Sequence, residues 1–142
     1  MKPYFEFIDH TADILFRAYA STEAELFAQC ALALEDAQVE ISQIHHKETI
    51  TITGCNAALD RLLFDFLDDI LYYKDADLLV FSKFDIKITN KNNEYCLECK
   101  AHGEKIDFAR HHPKVDVKAI TMHLFEVKKT NKGWEAQVLI DI

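Results

Sequence analysis

Glycine and proline are scarce. The 142-residue chain has three of the first and two of the second, which excludes a collagen-like, loop-dominated or low-complexity architecture. No hydrophobic run approaches the ~20 residues that a membrane-spanning helix needs. Met1-Lys2-Pro3-Tyr4 opens without an apolar signal region, so a cytoplasmic protein with no membrane partner is expected. Basic clusters are missing too. Asp plus Glu number 24 against 16 Lys plus Arg, a net charge of −8, and the densest basic stretch, Lys128-Lys129 with Lys132, reads as a solvated hairpin. Nucleic-acid binders neutralise phosphates with clustered Lys and Arg, so no direct nucleic-acid partner is expected. There is also no glycine-rich phosphate loop, nucleophile elbow or dinucleotide fingerprint. That argues against a chain performing nucleotide chemistry by itself.

Cysteine is limited to Cys30, Cys55, Cys96 and Cys99. Four would be a sparse disulfide framework for a chain without a signal peptide, and reduced thiols are the expectation. Cys96-Leu97-Glu98-Cys99 has metal-like spacing, yet no second pair follows. An alternating strand would point those two sulfurs to opposite faces.

What is abundant is periodic apolar sequence, within a composition 49% hydrophobic and 28% charged. This length fits one domain, residues 1–142. Segments 4–8 and 14–19 read as strands joined through His10–Asp13. Thr22 with Glu25 forms a capping box, and Leu26, Phe27, Cys30, Ala31 and Leu34 then hold helical spacing. Residues 47–53 alternate as a strand that Gly54 ends. Asn56 caps a second helix over 57–73, with Leu59, Leu62, Leu63, Phe66, Leu67, Ile70 and Leu71 along one stripe. Strands follow at 84–89, 95–101, 115–127 and 134–140, with turns at 90–93 and 130–133. The fold class is α+β: a single domain of mostly antiparallel sheet with two amphipathic helices packed against it.

The chemistry-bearing residues lie near the two ends. Asp9-His10-Thr11-Ala12-Asp13 separates the first two strands, and Asp141-Ile142 finishes the last. If first and last strands are neighbours, Asp13, Asp141 and the α-carboxylate of Ile142 converge. Such oxygens repel one another unless a cation sits among them, and hard divalent cations take them. Each residue also has a plainer role. A loop Asp commonly bonds nearby backbone N–H groups. Thr11 and Asp9 support the site or cap the turn, and His10 orients Asp13 or is structural. Lys118 pairs with Asp116, balances the carboxylates or reaches a phosphate. Asp65, Asp68 and Asp69 read as the solvated side of the second helix, with docking as the alternative. His45-His46 and His111-His112 are expected to be exposed.

His10-Thr11-Ala12-Asp13-Ile14, the block 62–72, Val117-Lys118-Ala119-Ile120-Thr121 and the ending 134–142 together resemble archease, in the family's order and over essentially the whole chain. The resemblance implies an accessory protein rather than an enzyme. Its partner would be the GTP-dependent RNA ligase of tRNA splicing, which joins ends carrying 3′-phosphate or 2′,3′-cyclic phosphate. The accessory protein promotes guanylylation of the ligase histidine and repeated turnover. The family's metal site maps onto Asp13, Asp141 and the terminal carboxylate of Ile142. Calcium is the first choice of ion, with magnesium and manganese as alternatives. Lys118 falls in a segment of functional importance, and His10 and Thr11 are supporting candidates. Ala20 stands where the family usually carries Gly before the first helix, which predicts a different local turn. Competing readings are a small metal-dependent phosphohydrolase and a general chaperone or adaptor.

Overall fold

A computed structural model describes residues 2–142. Two antiparallel sheets carry the chain. β1 (Tyr4–Ile8), β2 (Ile14–Ala20), β7 (Gly133–Asp141) and β6 (Ala119–Thr130) form one sheet in the order β1-β2-β7-β6. β3 (Glu48–Asn56), β5 (Glu94–Lys105) and β4 (Leu79–Lys91) form the other, in the order β3-β5-β4. Between β2 and β3 runs α1 (Glu23–Gln38), and between β3 and β4 runs α2 (Leu59–Asp77). Apolar faces of both helices and both sheets meet in one core, centred on Phe16, Phe27, Phe66 and Phe81. The α+β expectation holds.

Local chemistry explains most boundaries. Thr22 caps α1, its hydroxyl accepting from the Glu25 N–H at 3.2 Å while also donating to the Glu25 carboxylate at 3.0 Å. Asn92 and Asn93 both take positive φ, 55° and 60°. They make the two-residue turn whose twist suits the β4–β5 hairpin, since Asn tolerates the left-handed region. Ala20 is a buried strand residue outside the left-handed region, so nothing there requires the glycine that the family favours.

Several expectations shift. Asn56 does not cap α2 directly: its side chain accepts from Ala58 N–H at 3.0 Å, and Ala58 occupies the cap. β3 continues through Gly54 to Asn56, because β5 pairs with it residue for residue to that point. β4 begins five residues earlier than expected and absorbs a bulge between Phe81 and Lys83. A short 3-10 turn, Ile41–Gln43, also went unforeseen. The expected strand over 115–127 divides: 111–118 is irregular, and β6 starts at Ala119. β6 is itself interrupted between Thr121 and Glu126, where four residues face only Val138.

Candidate metal centre

β2 and β7 are the central strands of the first sheet, paired from Ala20↔Trp134 to Ile14↔Ile140. The pairing ends at Ile14↔Ile140, one residue short of Asp13, which lies in the bend before β2, and of Asp141. Asp141, the last residue of β7, shares the face of Leu139, since side chains alternate along strands. Ala12 turns the chain away at φ 74°, so Asp13 is the last β2-side residue that can oppose β7. Both carboxylates are half-buried, and among the described residues neither forms an ion pair. Like charges directly opposite on neighbouring strands destabilise the pair. Carboxylate oxygens are hard donors, the type that divalent cations such as calcium take. The one group of three or more Asp, Glu, His or Cys side chains within ligand reach among the described residues includes neither Asp13 nor Asp141. Ile142, the remaining residue of the expected site, is half-buried.

Lys118 approaches from the opposite side. Its backbone N–H donates to the Asp141 carbonyl at 2.7 Å, just before β6 begins pairing at Ala119↔Asp141. The irregular segment leading to it is tied down at several points. Lys114 N–H donates to the Gln38 carbonyl at 2.8 Å, and Lys114 Nζ meets Asp36 at 3.2 Å. Lys74 Nζ on α2 donates to Asp116 Oδ1 at 2.8 Å and to the Val117 carbonyl at 3.4 Å. Asp116 therefore pairs directly with Lys74, and Lys118, for which that ion pair was one of three expected roles, acts on it only through its charge. The hydrogen bond and charge of Lys74 hold the Asp116 carboxyl below its ordinary range. The Lys118 side chain is left exposed.

His10 and Thr11 are both exposed, and no hydrogen bond joins either to Asp13 among the described residues. His10 shares with Asp9, Asp13, Asp36 and Lys114 the wall of an open cleft of about 390 Å³; Thr11, Asp141 and Ile142 do not line it. Asp65, Asp68 and Asp69 are exposed on α2, as a solvated helix face should be. Burial and then the neighbouring Asp68 and Asp65 charges raise the Asp69 carboxyl.

A second polar cluster escaped sequence reading. His111, expected exposed, is fully buried, with Nε2 3.0 Å from Glu104 Oε2 and Nδ1 accepting from Asp107 N–H at 2.8 Å. Burial would raise the Glu104 carboxyl. Hydrogen bonds from Arg110, His45 N–H and His111, with the Arg110 charge, outweigh it and hold the group down at about 2. Glu35 on α1 is also fully buried. Burial pushes it up to about 8, against hydrogen bonds from Phe81 N–H (2.6 Å) and Gln38 Nε2 (3.1 Å) and the charge of Lys74. These acids tie elements together: Glu35 joins α1 to β4, and Glu104 joins β5 to the segments before β3 and after β5. The one available signal was Glu35 at helical spacing from buried Ala31 and Gln38. The cysteine expectation also needs correction. Cys55 and Cys96 face one another across β3 and β5 and are joined as a disulfide, while Cys30 and Cys99 are buried and free. The sulfurs of Cys96 and Cys99 do lie on opposite faces of β5, one half-exposed and one buried.

Among the described residues no helix is long and apolar enough to cross a membrane. Residues 5–142 match the model of the Archease protein family (MTH1598/TM1083). A protein archease of Pyrococcus furiosus is 42% identical over 139 residues, covering 97% of this chain and 98% of the relative. One from Methanosarcina barkeri is 37% identical over 139 residues, covering 97% and 95%. The solution structure of Methanobacterium thermoautotrophicum protein 1598 superposes with a TM-score of 0.87 at 33% identity, over 97% of this chain and 98% of that one. A Thermotoga maritima archease, described as a possible chaperone, shares the fold at a TM-score of 0.61 and 18% identity, over 95% and 94%.

Proposed function

The chain belongs to the archease family, and from that premise we propose that it activates the tRNA-splicing RNA ligase through its carboxylate corner. The observation that supports this reading is the β2–β7 register, whose last pair, Ile14↔Ile140, stands one residue from Asp13 and from Asp141, beside the Lys118 backbone bond to Asp141. Asp13, Asp141 and the α-carboxylate of Ile142 are the residues that would hold a divalent ion, calcium first. A bound ion would supply positive charge that a nucleotide phosphate can use. Asp141 on the central strand β7 and Asp13 in the bend that enters β2 would hold that charge on the rigid part of the sheet, the kind of support a functional site needs. Lys118, exposed and pinned by its backbone, offers a second cation within reach of a partner's phosphate.

Guanylylation of the ligase histidine depends on positioning GTP and neutralising phosphate charge. An accessory protein can provide both without a nucleophile of its own. The acidic surface, net −8, favours encounter with a basic nucleotide pocket rather than with RNA. The test is guanylylation of the ligase from the same organism with this chain and with Asp13→Ala. Stimulation by the wild type that the variant loses supports the reading; equal stimulation by both removes the corner from it. Turnover of phosphate esters by the purified chain alone would favour the phosphohydrolase reading instead.

A further inference from the structure

A group of side chains that could hold a metal ion once its disulfide is opened lies in the other sheet. Cys55, Glu94 and Cys96 place one ligand atom each within 4.8 Å of one another, the only such group of His, Cys, Asp and Glu among the described residues. Cys55 and Glu94 are exposed and Cys96 half-exposed. Their positions are set by register, since Cys55 opposes Cys96 and the tight Asn92-Asn93 turn returns the chain at Glu94. Glu94 Oε1 lies 3.8 Å from Cys96 Sγ. Tetrahedral zinc, with bonds of about 2.3 Å to sulfur and about 2.0–2.2 Å to oxygen, sets neighbouring S and O ligands roughly 3.5 Å apart. Beside Cys55 opens a cleft of about 220 Å³ that is also lined by Asp65 and Asp69 of α2.

We propose that Cys55 and Cys96 form a reversible dithiol–disulfide couple, and that the dithiol, with Glu94, binds one zinc-like cation. Reduction uses a small thiol, RSH. Two RSH each give one hydrogen, the Cys55–Cys96 S–S bond breaks, RS–SR forms, and each cysteine gains an S–H. The cation then displaces both protons to solvent and takes two thiolates and the Glu94 carboxylate, leaving a fourth position for water. Cys30 and Cys99 cannot substitute, because both are buried. This soft-ligand site is independent of the carboxylate corner. It assigns the exposed face of β3 and β5 a redox-gated metal function.

The test is cobalt(II) and zinc(II) titration of the full chain after reduction with a phosphine, under anaerobic conditions. The reduced wild type should take one equivalent and show the near-ultraviolet thiolate-to-cobalt absorption; the oxidised protein should show none. Cys55→Ser and Cys96→Ser should lose that band. Glu94→Gln should weaken binding at least about tenfold, since even outer partners of metal ligands contribute that much. Circular dichroism identifies any variant that fails to fold, and Glu94→Gln, which leaves both cysteines in place, carries the test if a serine variant does. A reduced wild type without the band, or a band that survives both serine substitutions, overturns the proposal. Oxygen ligands at Asp13 and Asp141 give no thiolate band, so this result stands apart from the fate of that corner.

Discussion

Replacing Asp13 with asparagine should reverse its effect on stability according to whether a divalent ion is present. In the proposed corner, two like charges oppose each other when no ion is bound, a cost of up to about 1 kcal/mol in cross-strand pairs. Asp13→Asn removes one charge while keeping the side chain's shape. In excess chelator the variant should therefore melt at or slightly above the wild type. With calcium at about a hundred times its dissociation constant, the native state of the wild type gains about 2.7 kcal/mol. A chain of 142 residues unfolds with an entropy of about 0.3 kcal/mol/K, so that gain raises Tm by about 9 °C. The substituted amide retains a carbonyl oxygen but not the charge, and most of the rise should vanish. Thermal melts of both proteins in chelator and in calcium, magnesium and manganese give the comparison. Calcium leaves thiolates aside, so the cysteine pair does not confuse the result. A wild type whose Tm ignores divalent ions refutes the reasoning. So does an Asp13→Asn variant less stable than wild type in chelator, which would make Asp13 a local turn residue whose carboxylate bonds the backbone.

Two further predictions concern the frame that holds the corner. A methyl group at Gly103 would sit 1.9 Å from the Val80 carbonyl oxygen and 2.7 Å from Phe81 Cα; backbone cannot yield there without parting β4 from β5. Gly103→Ala should cost ~3 kcal/mol in urea denaturation, the upper range for overpacking, and a loss under ~1 kcal/mol would contradict the close approach. Glu35 is neutral in the fold until pH rises through about 8, whereas the unfolded chain ionises near its ordinary value of 4.5. Its favourable contribution is thus complete below pH 4.5 and lost as pH climbs toward about 8. Glu35→Gln should remove that loss, so the variant's stability relative to wild type grows between about pH 5 and about pH 8, by up to about 1.4 kcal/mol per pH unit. A difference that stays flat over that range refutes the buried-acid account.

The pattern of residues announced the frame well because burial acts through periodicity. The stripe Leu59–Leu71 and the alternation after Lys47 left few alternatives. Boundaries were harder, because pairing overrode local signals: Gly54 stays in β3 since β5 runs opposite it. The carboxylate corner was legible only as a conditional, that first and last strands be neighbours. In the sheet β2 stands between the first and last strands, and it is the pairing of this second strand with β7 that brings the segment of Asp13 toward that of Asp141, while His10 and Thr11 remain without a bond to either. The buried polar network was nearly invisible. Nothing local marks His111 as a partner for Glu104, because their meeting depends on how the chain after β5 folds back. Cys55 and Cys96, 41 residues apart, meet only through the register of β3 with β5. Lys74 capturing Asp116 from α2 is likewise a tertiary fact, and it leaves Lys118 without that partner.

The central claim is that charge held by Asp13 and Asp141 assists the ligase. Its most direct test is single-turnover guanylylation of the partner ligase, with this chain as wild type, Asp13→Ala or Asp141→Ala. Each variant should first be shown to fold and to bind the ligase. Stimulation by wild type that both variants lose is the predicted result; full stimulation by either folded variant contradicts the account.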